Sequence, residues 1–153
     1  MKNLKIVLFL AAFAITALVQ AQIAPVDENG LAIGGYDVVS YFSGTAQQGS
    51  ATHTTQYNGV TYHFASSENL AAFKKTPTQF LPQFEGYCAW GVGAKGAKFP
   101  INPETFDIID GKLYLFFNGP FDGKDFNTIL PWNAETTKLR KAAHTKWKDV
   151  KKS

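Results

Sequence analysis

Two dipeptides, Asn58-Gly59 and Asp110-Gly111, narrow the folds open to this chain more than anything else in it. Both central residues of a type I′ turn need positive φ, which Asn, Asp and Gly tolerate. Each pair therefore predicts a tight β-hairpin and sets the register of its strands. Around the first turn Tyr57 faces Val60, Thr55 faces Tyr62 and His53 faces Phe64. Opposed residues share a face. One side then carries Tyr57, Val60, Tyr62 and Phe64 with His53 at its edge, and the other carries Gln56, Thr61, Thr54 and His63. This register puts the two histidines on opposite sides of the ribbon, which argues against their chelating one ion. The same count around the second turn groups Phe106, Ile108, Leu113 and Leu115, extended by Phe117, opposite Asp107 and Tyr114. A ribbon with one apolar face needs a cover, so helices must pack on both hairpins.

The helices are signalled between and after the turns. Ser66 stands at an N-cap position ahead of Leu70 and Phe73, with Pro77 as the stop. Thr76-Pro77-Thr78-Gln79 reads as a fresh start, a capping-box pair with proline at the first helical position. Phe80 and Phe84 lie a turn apart around Pro82, and Gly91, Gly93 and Gly96 predict a mobile or closely packed loop. Phe126, Ile129 and Leu130 suggest a short helix stopped by Pro131. Asn133 caps a final helix whose Leu139, Ala143, Trp147 and Val150 form one apolar stripe. The expected fold is α+β: a small single domain of two β-hairpins packed with short helices. Aromatics, led by phenylalanine, supply much of its buried area.

The N-terminus reads as an export signal. A basic start (Lys2, Lys5) precedes an uncharged apolar run from Ile6 to Val19, and Val19-Gln20-Ala21 offers a cut ahead of Gln22. The run is shorter than the ~20 residues needed to span a bilayer. The expected organisation is a signal peptide over 1–21, a lead-in over 22–34 ordered only near its end, and a domain over 35–153 that includes the basic last helix. The mature protein is expected to be exported, periplasmic or secreted, without stable membrane insertion. Loss of Lys2 and Lys5 lowers the formal charge from +3 to +1. Basic residues remain concentrated in the tail, from Lys138 to Lys152, against Asp149 alone. Export and a near-neutral mature charge argue against nucleic acid and favour a solvated helix face.

Cys88 is the only cysteine. In an oxidising compartment a lone thiol has no internal disulfide partner. It is left as a buried apolar residue, a metal ligand, a reactive thiol or half of an intermolecular bridge. No phosphate loop, Ser-His-Asp set or paired-carboxylate motif is recognisable, so the chain reads as a binding protein rather than an enzyme.

Several stretches together resemble the exported YHS domain-containing (seleno)protein family. They are Gly35-Tyr36-Asp37-Val38-Val39-Ser40-Tyr41-Phe42, Tyr57-Asn58-Gly59 through Tyr62-His63-Phe64-Ala65-Ser66, the Pro77, Phe80, Pro82, Phe84 pattern, Gly86-Tyr87-Cys88-Ala89, and Asp110-Gly111-Lys112-Leu113-Tyr114-Leu115. The likeness runs from about Gly34 to Asn118, with a looser echo at Trp147. It implies a link to transition-metal handling. The metal-binding relatives carry a Phe-Cys-Ser-x-x-Cys arrangement, and Ala65 and Asn69 stand where those cysteines would be, so a thiolate zinc site does not carry over. Cys88 falls where some members have selenocysteine, which implies redox chemistry or soft-metal binding.

The expected role is therefore binding of a soft transition metal, copper first and zinc second, with Cys88 as anchoring ligand. His53 or His63 is the second donor, and Tyr87, Glu85 or Asp37 is available for an oxygen ligand. The alternative is a thiol-dependent redox or protein-binding module using Cys88 without metal, with Lys95 and Lys98 raising the local potential. Its partner would be another exported protein. The third reading is a binding module with an inert, buried Cys88.

Overall fold

The computed structural model describes residues 22–153, so the export signal expected over 1–21 lies outside the described residues. The fold is α+β, with three antiparallel hairpins among the described residues: β1 (Ser50–Tyr57) with β2 (Val60–Phe64), β3 (Asn102–Ile109) with β4 (Lys112–Phe116), and β5 (Asn118–Phe121) with β6 (Lys124–Asn127). Asn58 and Asp110 adopt φ of 51° each and Gly59 and Gly111 follow at 80° and 68°, the left-handed geometry the two dipeptides predict. The third hairpin is additional to the expected two. It turns on Asp122-Gly123, at 51° and 74°.

Register agrees with expectation near the turns and departs from it further out. Tyr57 pairs with Val60 and Thr55 with Tyr62, but β1 slips between Ser50 and Thr54, so Phe64 faces Ser50 instead of His53. The second hairpin pairs Phe106 with Leu115 and Ile108 with Leu113 as expected, then slips so that Asn102 faces Phe116. Three extra residues on β1 between Ser50 and Thr54, and three on β3 between Asn102 and Phe106, break the count beyond them. A turn therefore dictates pairing only up to the first bulge.

Helix α1 (Ser67–Lys75) starts at Ser66, whose hydroxyl accepts the Asn69 N–H at 3.1 Å, and α2 (Pro77–Phe80) follows with proline in its first turn. Gly91–Lys95 is a π-helix, so the glycine-rich stretch is the closely packed alternative. A Cβ on Gly93 would lie 2.7 Å from the Leu139 carbonyl oxygen. Pro131 does not stop a helix. It sits in the first turn of α3 (Ile129–Ala134), where a missing N–H leaves no intrahelical bond unmade, and Phe126 belongs to β6. Asn133 lies inside α3, and the last helix, α4 (Thr136–Val150), begins after Glu135. Its stripe is as expected: Leu139, Ala143 and Val150 are buried and Trp147 packs beside them.

Two cores share one strand. Leu113 and Leu115 of β4 enter the first, with Tyr41, Phe64, Phe73 and Cys88, while Tyr114 and Phe116 enter the second, with Trp132, Leu139 and Ala143. The lead-in is ordered near its end, as expected, and also at its start. Ile23 and Ile101 exchange both backbone hydrogen bonds at 2.9 Å, Leu31 bridges to Thr61, and Ala32 and Ile33 are buried in the first core.

Candidate functional site

Cys88 follows the turn Gln83–Gly86 and precedes the π-helix, which brings its side chain between β4 and the start of α3. It is 0% exposed. The Phe117 N–H donates to Sγ at 3.3 Å, and Sγ lies 3.3 Å from Thr128 Oγ1. Thr128 Oγ1 in turn donates to the Phe117 carbonyl at 2.8 Å. A hydroxyl has one proton to give. With that proton on the Phe117 carbonyl, the Cys88 S–H is the donor to Thr128 Oγ1. The result is a closed ring that leaves Phe117 at its N–H and returns at its C=O.

The other residues expected at a metal or redox centre lie on separate elements of the fold. His63 pairs with Thr54 across the first hairpin, and its Nδ1 would lie 3.4 Å from a Cβ on Gly35. His53 lies in the bulged part of β1, near Glu68 on the first turn of α1. The Glu68 carboxyl is held below its ordinary value mainly by its own backbone N–H, then by the Ser66 and Ser67 hydroxyls, with His53 adding a smaller pull. Lys95 stands over the Trp90 ring and Lys98 over the Tyr87 ring, each 5.5 Å from the centroid. Glu85 Oε1 meets Lys151 Nζ at 2.6 Å. Among the described residues no three of His, Cys, Asp and Glu form a group that could hold a metal ion. Cys88 Sγ has a hydroxyl and a peptide N–H for polar company. That donor set does not fit Cu(I) or Zn(II), which call for further thiolate or imidazole ligands.

Asp37, expected as a spare oxygen donor, is buried and saturated. Oδ1 accepts the N–H of Val39 at 2.8 Å and of Ser40 at 3.4 Å. Oδ2 accepts the Ala65 N–H at 2.8 Å and Asn69 Nδ2 at 2.7 Å. One carboxylate thus fastens the Tyr36–Phe42 stretch to the end of β2 and the start of α1.

A different feature, missed in the sequence, opens at the surface. Phe84 and Glu85 take φ of 56° and 53°, and Gly86 follows at 85°. Left-handed geometry costs a residue with a Cβ roughly 1–2 kcal/mol, so two in succession mark a backbone held by its surroundings. Pro25 presses on Gly86, where an added Cβ would lie 3.0 Å from the Pro25 Cβ. Between this turn, the lead-in and the first hairpin lies a cleft of about 360 Å³. Tyr57 and Tyr62 line it, and neither hydroxyl has a hydrogen-bond partner among the described residues. Burial, with Tyr57 nearby, pushes the Tyr62 phenol above its ordinary value and keeps it neutral. The only signal available beforehand was the Tyr-Asn-Gly turn, since the walls come from three segments far apart in sequence.

Comparison with protein-family models, with curated proteins and with solved structures finds no match for this chain.

Proposed function

We propose that the chain is an exported YHS-type binding domain in which Cys88 holds the core together and the ligand is received at the cleft beside Phe84–Gly86. The observation that carries this reading is the closed Phe117–Cys88–Thr128 ring. A reactive or metal-bound sulfur needs a thiolate with access to its partner, whereas this thiol is enclosed and its proton has an assigned acceptor. The YHS-type assignment draws support from convergence. Tyr41, Phe64, Phe80, Cys88, Leu113 and Leu115 come from the separate stretches that carry the resemblance, and all are buried in one core. Residues that meet this way are accounted for by packing before any chemistry is invoked.

The test is native mass spectrometry on anaerobically purified protein from Gln22 onward, challenged with Cu(I) and then Zn(II), beside Cys88→Ser. We expect no stoichiometric metal uptake that depends on Cys88, and no modification of the native thiol by an aromatic disulfide reagent until denaturant is added. One-to-one binding lost in Cys88→Ser would overturn the proposal in favour of a thiolate copper or zinc site. Rapid labelling of the native thiol would favour the redox reading. Stability gives an independent check. Cys88→Ala strands the buried Phe117 N–H and opens a small void, and is expected to cost about 2–3 kcal/mol in urea unfolding.

A further inference from the structure

The cleft has walls of one character and a rim of another. Pro25, Val60, Leu81 and Pro82 supply apolar surface, Tyr57 and Tyr62 supply aromatic surface, and Glu85 is the only charged residue of the lining. Its volume of about 360 Å³ falls within the range of small-molecule sites. Glu85 is already answered by a primary ammonium, that of Lys151 just beyond the end of α4, at 2.6 Å. Both side chains are more than half exposed, at 54% and 59%, so the pair is solvent-screened and readily exchanged.

From these observations we infer that the cleft takes a small amphipathic amine, with an aromatic or branched apolar body between the tyrosines and the prolines and an ammonium on Glu85 in place of Lys151. This rests on the cleft being the binding site. The lysine shows which ligand end the carboxylate accepts: a compact cation donating N–H, which a neutral or anionic ligand does not provide. The tyrosine rings supply flat apolar surface for the ligand's body, and their hydroxyls, without a partner among the described residues, are available to its polar atoms. The left-handed backbone at Phe84 and Glu85 holds the carboxylate at the rim, on a turn backed by Gly86 against Pro25. Lys151 is then an internal competitor, and its removal should free the site.

The experiment uses the protein from Gln22 onward with phenethylamine and its neutral isostere phenethyl alcohol, followed by calorimetry and by amide shifts of Tyr57, Val60 and Tyr62 at low ionic strength. Phenethylamine is expected to bind more tightly than the alcohol. Glu85→Gln should weaken the amine about fivefold and leave the alcohol unchanged, and Lys151→Ala should tighten the amine about twofold to threefold. Equal binding of amine and alcohol in all three proteins would overturn the amine assignment and leave the cleft standing. No binding of either probe, with no shifts at Tyr57 or Tyr62, would overturn the cleft itself and the amine assignment with it. Both substitutions lie on exposed side chains, so an unchanged circular dichroism spectrum serves as the folding control.

Discussion

Replacing Asp37 with Asn tests the structural argument most directly, because shape is kept and only acceptor capacity and charge change. The carboxylate receives Val39 N–H and Ser40 N–H on one oxygen and Ala65 N–H and Asn69 Nδ2 on the other. An amide must put its NH2 at one end. If it replaces Oδ1, the short bond from Val39 is lost. If it replaces Oδ2, Asn69 can rotate to offer its own oxygen, but the Ala65 N–H is left facing another donor. Either way one half-buried backbone N–H loses its acceptor, at about 1–3 kcal/mol, and the surviving bonds fall from charge-assisted to neutral strength, about 1 kcal/mol each. We expect a loss of about 3–5 kcal/mol, a large share of the roughly 5–15 kcal/mol of a typical domain. Asn69→Ala, which removes a single donor, should cost about 1 kcal/mol. Equilibrium urea unfolding with unchanged m-values is the assay. Asp37→Asn within about 0.5 kcal/mol of the parent would show that water or backbone adjustment satisfies these groups, and the fastening role would be abandoned.

Two further expectations follow from other parts of the fold. Gly93→Ala places a Cβ 2.7 Å from the Leu139 carbonyl oxygen, so α4 must move off the π-helix. The cost should be about 1–3 kcal/mol of overpacking, and a thermal midpoint equal to the parent's would contradict this contact. His144, whose Nε2 lies 3.2 Å from the Tyr114 hydroxyl, is held below the ordinary histidine value of 6.5, first by burial and then by the Arg140 charge. The unfolded chain therefore takes up that proton first. The stability His144 contributes is complete above pH 6.5 and is lost as pH falls through the lower folded value. His144→Gln should flatten that part of the stability–pH curve, and an NMR titration midpoint at or above 6.5 would refute the assignment.

Local chemistry was legible in the sequence where it acts over a few residues. Asn58-Gly59 and Asp110-Gly111 set the pairing beside them, Ser66 capped its helix, and the α4 stripe showed its buried face. The bulges were not legible. The slip that moves His53 away from Phe64 coincides with a backbone approach so close that a Cβ on Gly49 would lie 2.6 Å from the His63 backbone, a contact no turn rule encodes. The third hairpin carried the same turn signal, Asp122-Gly123, but its strands hold Gly119, Pro120, Lys124 and Asp125 and lack apolar alternation. Pro131 looks the same in sequence whether it stops a helix or sits in its first turn. At Cys88 the aromatic neighbourhood hinted at burial, yet the decisive partner, Thr128, lies 40 residues away. The cleft likewise depends on the lead-in being fixed by Ile101 and Thr61.

No strand of one hairpin pairs with a strand of another among the described residues. In a continuous sheet, lengthening one strand disturbs its neighbours on both sides. Here the ribbons end separately: Asp110 at one tip is held by Arg140 of α4 at 2.6 Å and Asn58 at another lines the cleft, while a Cβ on Gly123 at the third would meet nothing within 4 Å. Chain length can therefore drift at the Asp122-Gly123 tip without the cores registering it. That tip is where a reporter group or a grafted loop can be spliced in, since its ribbon carries the exposed Phe121.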